Sequence, residues 1–243
     1  MKSYSVEAFV LRLRPLGEAD RILTLFSRER GKLHAVAKGS RKTQSRFGAR
    51  LDFFSHASLS LHTGRSLDIV TGVRSVAGAP RIWEKLVEPE TFALASYVCE
   101  VIDALSEPDL AVPDLFELLR ELQAAIGDGV PAADLAPAVD LRLLAALGLT
   151  PELDACARCG AALGKRPLAG GRARLSPGSG GLVCSRCAVE EKALGSSTGQ
   201  GATYSVSATE LMLLRGLRTM PFAALRELPD VARVRRVTRP FVE

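Results

Sequence analysis

The chain has 243 residues, of which 47% are hydrophobic and 24% charged, enough for two or three small domains that each bury a core. No apolar run approaches the roughly 20 residues of a membrane-spanning helix. No apolar signal segment opens the sequence either, so we expect a cytoplasmic protein.

The net charge of +5 conceals an asymmetry along the chain. The first 85 residues hold 16 cations and 7 carboxylates, a net charge of +9, which leaves −4 for the remainder. A basic segment of this kind in a cytoplasmic protein is typical of nucleic-acid binding.

Residues 1–80 predict a small β-barrel. Five short segments alternate apolar and polar side chains and are separated by turn residues such as Gly31 and Gly64. They span residues 6–11, 22–26, 32–37, 57–62 and 67–70. The pattern fits an OB-fold, whose sheet face and loops bind oligonucleotides, although an SH3-like barrel has a similar period.

Helical periodicity follows in residues 81–154. One apolar stripe runs from Leu115 to Ile126 and ends at Gly127, and a second helix over residues 138–147 stops at Gly148. Thr150 and Pro151 could begin another helix as its cap and first residue. In residues 191–243, a flexible link at 195–201 precedes Ser207 and Glu210, which have capping-box spacing.

Two cysteine pairs lie in residues 155–190, as Cys156-x-x-Cys159 and Cys184-x-x-Cys187. Four thiolates at this spacing predict a closed, structural Zn²⁺ site with no open position for catalysis. The alternatives are two disulfides, four unrelated thiols or a redox-active pair. Cys99 lies in a helical apolar pattern, so we expect it to be buried and inert.

The fold class predicted from these patterns is multidomain α+β. An OB-fold barrel (1–80) precedes an α-helical domain (81–154 and 191–243) into which a four-cysteine zinc-binding region (155–190) is inserted.

A cation-rich loop follows the third predicted strand. Cations there can neutralise phosphates, and Phe47 could either stack on a base or lie inside the barrel. Four arginines at the carboxy terminus could contact DNA or only keep a helix soluble. The candidate DNA-binding residues are Lys38, Arg41, Lys42, Arg46 and Arg50 in the loop and Arg12, Arg14, Arg21 and Lys32 outside it; the carboxy-terminal cluster is Arg233, Arg235, Arg236 and Arg239.

No catalytic constellation is recognisable in the sequence. His34, His56 and His62 have no serine or cysteine at motif spacing, and the glycines form no Walker loop. We therefore do not expect an enzyme.

Several segments together resemble the bacterial RecO family of recombinational DNA-repair mediators. The amino-terminal ones are residues 7–12 (EAFVLR), 17–22 (GEADRI), 26–32 (FSRERGK) and 37–47 (AKGSRKTQSRF). The later ones are residues 141–144 (LRLL), 147–153 (LGLTPEL), 156–160 (CARCG) and 180–184 (GGLVC).

The resemblance implies a non-enzymatic, nucleoid-associated protein that binds single- and double-stranded DNA and anneals complementary strands. It also implies that the protein works with RecR to replace single-strand-binding protein (SSB) by RecA, and that its helical domain contacts the SSB carboxy-terminal tail. Arg142 is the candidate anchor for the tail carboxylate. The alternative from another class is a zinc-ribbon factor that acts on RNA or in transcription.

Overall fold

A computed structural model describes residues 2–45, 47–80, 82–163, 172–193 and 203–242. The chain forms two compact units, residues 1–129 and 130–243. The predicted link at 195–201 lies outside the described residues.

Five strands form a closed barrel in the first unit, as the alternating pattern predicts. They are β1 (Ser3–Leu16), β2 (Asp20–Ser27), β3 (Gly31–Ala37), β4 (His56–His62) and β5 (Asp68–Ser75). Their order around the barrel is β1-β2-β3-β5-β4, and β3 pairs with β5 in parallel. This arrangement confirms the OB-type fold.

The long strand β1 closes the barrel by pairing with both β2 and β4. Its register against β2 shifts between Val10 and Arg12, and such a bulge increases local twist and bends a strand. Because successive side chains of a strand point to opposite faces, alternate residues of β1, including Val6, Ala8 and Val10, point into the barrel core. They pack there with Leu23, Leu25 and their neighbours.

Two helices belong to the same compact unit as the barrel: α1 (Pro89–Leu105) and α2 (Pro113–Gly127). Both begin with a proline in the first turn, where its missing N–H costs no hydrogen bond. Their linker lies against β3, since the Asp109 amide donates to the Lys32 carbonyl at 3.0 Å. A buried Gln123 side chain on α2 donates to the Phe54 carbonyl at 3.0 Å.

The second unit combines helices with a three-stranded sheet of order β7-β6-β8. Its helix α3 packs against α5, α6 and the 3-10 segment Val231–Val234. The elements are α3 (Ala132–Ala146), β6 (Arg172–Ser176), β7 (Gly181–Val183), α4 (Ser185–Ala193), β8 (Tyr204–Ser207), α5 (Ala208–Leu217) and α6 (Arg235–Thr238).

Two predictions about helix starts have opposite outcomes. Ser207 and Glu210 form the predicted capping box at the start of α5, so that prediction is confirmed. The predicted helix start at Thr150-Pro151 is wrong. Glu152 instead bridges to Gly181, and its carboxylate accepts hydrogen bonds from the amides of Asp154 and Ala155. These local bonds compete with helix formation.

No helix among the described residues is long and apolar enough to cross a membrane.

Candidate metal centre and nucleic-acid interface

The four paired cysteines converge on one point. The Sγ atoms of Cys156, Cys159, Cys184 and Cys187 all lie within 4.8 Å of one another, and those of Cys159 and Cys184 are 3.9 Å apart. Zinc–sulfur bonds of about 2.3 Å in a tetrahedron place the sulfurs about 3.8 Å apart. The cysteines can therefore bind a metal ion as one four-ligand set.

Backbone hydrogen bonds hold the two cysteine pairs together. Cys156 and Cys159 lie on a turn that closes with the Gly160 amide donating to the Cys156 carbonyl at 2.8 Å. Gly160 has φ +71°, a conformation that glycine adopts without a steric penalty. The second pair flanks the start of α4, and the Cys184 amide points at Cys156 Sγ from 3.3 Å.

The cluster also shifts the pKa of two of its thiols, Cys156 and Cys187. Burial opposes ionisation of Cys156, yet the amides of Cys184, Cys159 and Arg158 lower its pKa to about 6. The neighbouring Cys184, Cys159 and Cys156 sulfurs, together with burial, raise the pKa of Cys187 to about 12. Cys156 therefore ionises more readily than Cys187, and a bound divalent cation would stabilise the thiolate form of both.

All five cysteines are free thiols. The convergence of four unbonded sulfurs on one point supports the metal interpretation over the two-disulfide alternative. Cys99 is 2% exposed on α1, and burial raises the pKa of its thiol, as expected for an inert core residue.

The cation-rich loop lies between β3 and β4, at the β1–β2 turn. The Arg41 amide donates to the Ala19 carbonyl at 2.9 Å, and its guanidinium donates to the Gly17 carbonyl at 2.9 Å. Asp20 accepts from the Gly39 amide at 2.8 Å. These bonds hold the loop in place, with Lys38, Arg41 and Lys42 exposed.

The other loop candidates have different surroundings. Arg50 is exposed in the 3-10 segment Gly48–Leu51 and donates to the Phe47 carbonyl at 3.0 Å, whereas Arg46 lies outside the described residues. Phe47 is 1% exposed in the barrel core. The prediction that Phe47 stacks on a base is therefore wrong, and the alternative prediction, that its ring lies inside the barrel, is confirmed.

The second group of candidate cations is largely engaged within the first unit. Arg12 forms a 3.2 Å ion pair with Asp103 on α1, and Lys32 donates to the Asp103 carbonyl at 2.6 Å. Arg21 pairs with Asp52 at 3.2 Å. Arg14 is exposed near the end of β1, opposite Ile22. Among these four, Arg14 is the most accessible to a ligand.

Comparison with known proteins gives matches over nearly the whole chain. The family models "Recombination protein O N terminal" and "Recombination protein O C terminal" match residues 1–79 and 87–243. This chain belongs to the RecO family.

Curated relatives of the RecO family agree with this assignment. Proteins named DNA repair protein RecO from Desulfitobacterium hafniense and Symbiobacterium thermophilum are 37% and 38% identical to it. The first alignment covers 89% of this chain and 75% of the relative, and the second covers 87% and 79%. A Bifidobacterium adolescentis relative of the same name is 34% identical over 100% of this chain and 93% of its own length.

RecO family membership confirms the resemblance seen in the sequence. It supports a role in DNA repair and recombination, in preference to a zinc-ribbon factor acting on RNA or in transcription.

Arg142, the candidate anchor for the tail of SSB, lies half-buried on α3. Its guanidinium donates to the Met220 carbonyl and lies 4.1 Å from the centre of the Phe222 ring. These contacts fix the orientation of the guanidinium. Its role in binding a partner stays a prediction.

Sequence reasoning missed Arg172 and Arg174 on β6. Both side chains are exposed, whereas Ala173 and Leu175 between and after them are buried. The alternation Arg-Ala-Arg-Leu is the period-two signal of a half-buried strand, and it could have located this cationic face.

Proposed function

We propose that this chain is a non-enzymatic recombination mediator that binds single- and double-stranded DNA and anneals complementary strands. The observation that carries the proposal is the fixed loop with exposed Lys38, Arg41 and Lys42 on the edge of an OB-type barrel. OB-folds bind oligonucleotides with their sheet face and loops, and clustered cations neutralise phosphates regardless of base sequence.

Annealing follows from this chemistry without a nucleotide cofactor. Two DNA strands repel each other through their phosphates, and cations held on a protein surface reduce that repulsion. The Arg41 backbone and side chain are already fixed by hydrogen bonds to the β1–β2 turn, so binding DNA orders few additional groups. The loop would therefore contribute affinity without base selectivity.

The cysteine cluster would hold a structural Zn²⁺ in this proposal. Cys156, Cys159, Cys184 and Cys187 supply the four sulfurs that a closed zinc site requires. The ion would tie the turn at Cys156–Gly160 to the start of α4, and it would offer no open coordination position.

The proposed protein partners are RecR and the tail of SSB. Arg142 is the proposed anchor because a planar guanidinium matches the geometry of a carboxylate, and its bond to the Met220 carbonyl fixes its orientation. The adjacent Phe222 supports the guanidinium through a cation–π contact. A fluorescent SSB-tail peptide that fails to bind saturably would exclude this contact.

The DNA-binding proposal is tested by annealing two complementary labelled oligonucleotides without ATP. Wild-type protein should accelerate duplex formation, and replacing Lys38, Arg41 and Lys42 by alanine should slow it roughly tenfold at moderate salt, because about three phosphate contacts are lost. The control variant replaces Lys2, Arg65 and Arg74, which are exposed on the same barrel. Equal rates with and without wild-type protein would contradict the proposal.

A further inference from the structure

The charges of the protein are distributed differently from what the first 85 residues suggest. Residues 86–129 contain ten carboxylates and a single cation, Arg120, which offset the net +9 of the preceding segment. The first unit is therefore close to neutral. Residues 130–243 contain fifteen cations and ten carboxylates, so the net positive charge of the protein lies in the second unit.

Part of that charge is concentrated on the outer face of the β6–β8 pair. Arg174 is opposite Ser205 and Arg172 is opposite Ser207, so all four side chains are on the same face of the sheet. Ala173 and Val206 are opposite each other on the other face and are buried. The exposed face is thus built from arginine and serine.

A third arginine reaches this face from α6. Arg236 donates to the Ser205 carbonyl at 3.2 Å, and Arg172 donates to the same oxygen at 3.3 Å. Arg172 also donates through Nε to the Ser205 hydroxyl at 2.6 Å. One backbone carbonyl therefore holds two guanidinium groups side by side.

The charges on this face are only partly compensated. Glu210 pairs with Arg236 at 2.6 Å, but within the part of the chain that the structure describes no carboxylate pairs with Arg172 or Arg174. Each guanidinium has five donors in a rigid fork, so donors remain for a further acceptor. The arrangement is favourable for an anionic ligand with several acceptor oxygens.

We propose that this Arg172–Arg174–Arg236 face binds the sugar–phosphate backbone of a second DNA single strand while the barrel loop binds the first. The proposal rests on the proposed annealing function, which requires two strands on one protein. A nucleic acid fits this face better than an acidic peptide. The large exposed apolar side chains described in this unit are Leu149, Val189 and Met212, and none of them lies on β6 or β8.

The test measures bridging of two strands that cannot pair. Donor- and acceptor-labelled oligonucleotides of identical non-self-complementary sequence are mixed with protein, and energy transfer reports both strands on one complex. Anisotropy of a single labelled strand at limiting concentration reports binding at the barrel. These two readouts separate the second strand from the first.

Replacing Arg172 and Arg174 by serine should lower bridging at least fivefold and change the affinity for the first strand less than twofold. The Arg172→Lys/Arg174→Lys variant should retain most of the bridging, because it preserves the charge. Arg218→Ala/Arg226→Ala is the control, since it removes two cations of the same unit that lie outside the β6–β8 sheet and α6. Circular dichroism and metal content verify that each variant is folded.

Wild-type bridging by the serine variant would overturn the proposal. Equal losses in the serine and control variants would also overturn it, because net charge alone would then explain bridging. Unchanged bridging together with lost binding of an acidic peptide would assign the face to a protein partner. A wild-type protein that binds one strand but never bridges two would refute this inference alone, whereas absence of all DNA binding would refute the proposed function as well.

Discussion

The imidazole of His56 is a structural group of the first unit, with only 4% of its side chain exposed. Its ring stacks on Phe9 with 4.3 Å between centroids, and Nε2 lies 2.9 Å from Glu7 Oε1. Burial lowers the pKa of His56 from its ordinary value, although the Glu7 carboxylate opposes that shift. The folded state therefore favours the neutral imidazole.

This depressed pKa predicts a pH dependence of stability. Below about pH 6.5 the unfolded chain binds a proton at His56 that the folded chain resists, so the free energy of unfolding falls as the pH drops. Urea unfolding between pH 7.5 and 5.5 should show this loss in wild type and a flatter profile in His56→Gln. His34→Gln, at an exposed histidine on β3, is the control and should keep the wild-type slope. Equal slopes in all three proteins would contradict the assignment.

Gly31 at the start of β3 is required by both conformation and space. Its φ is +65°, and a Cβ at this position would lie 1.9 Å from the Leu110 carbonyl oxygen in the α1–α2 linker. Gly31→Ala should therefore destabilise the protein by about 2 kcal/mol or more, measured by chemical unfolding.

Gly78→Ala separates conformational strain from the steric clash. Gly78 has φ +76°, but an added Cβ would meet nothing within 4 Å. Its substitution should cost only about 1 kcal/mol. Equal costs at the two glycines would show that the linker does not press on Gly31.

Among the structural elements, the four-cysteine region depends most on a ligand. Cys159→Ser should abolish stoichiometric zinc binding, since three thiolates complete no closed site. Hydrogen exchange at the Ala157 and Leu182 amides should increase, because Ala157 donates to the Leu182 carbonyl and Leu182 donates to the Glu152 carbonyl beside the cluster. Amides in β1 and β2 should stay protected.

Elemental analysis and hydrogen-exchange mass spectrometry measure these effects. Cys99→Ala is the control, because Cys99 lies on α1 of the first unit and is not a member of the cluster, and this variant should retain one zinc per chain. Freshly purified, reduced wild-type protein without metal would disprove the zinc assignment.

The sequence was informative where one local rule decides the structure. Strand alternation, the capping box at Ser207 and the cysteine spacing all predict what the structure contains. The start proposed at Thr150 failed because a cap pattern is local, and Glu152 forms a bridge to a residue 29 positions away, Gly181. Pairing of β6 with β8 is likewise long-range and has no signal in a short window.

At the scale of the whole molecule, the charge asymmetry had to be reinterpreted. The first 85 residues do carry an excess of cations. However, three of these cations, Arg12, Lys32 and Arg28, contact carboxylates or carbonyls of α1 and α2. Part of the asymmetry thus holds the helices against the barrel. Charge counts along a sequence cannot separate such internal pairs from cations available to a ligand.

The loop cations remain the best candidates for DNA binding because they are exposed and lie at the edge of the barrel. Their contribution can be measured from the salt dependence of binding, since each phosphate contact on a single strand contributes about 0.7 to the slope of log K against log salt. If roughly four to six phosphates are neutralised, the wild-type slope should lie near −3 to −4.

The most direct test is this slope in the Lys38→Ala/Arg41→Ala/Lys42→Ala variant, measured by anisotropy with a labelled single strand. The slope should become shallower by about two, and the affinity should fall to a similar extent for strands of unrelated sequence. The Lys2→Ala/Arg65→Ala/Arg74→Ala control has the same net charge as the loop variant and should keep the wild-type slope. A wild-type slope in the loop variant, with its fold intact by circular dichroism, would contradict DNA binding by the barrel loop.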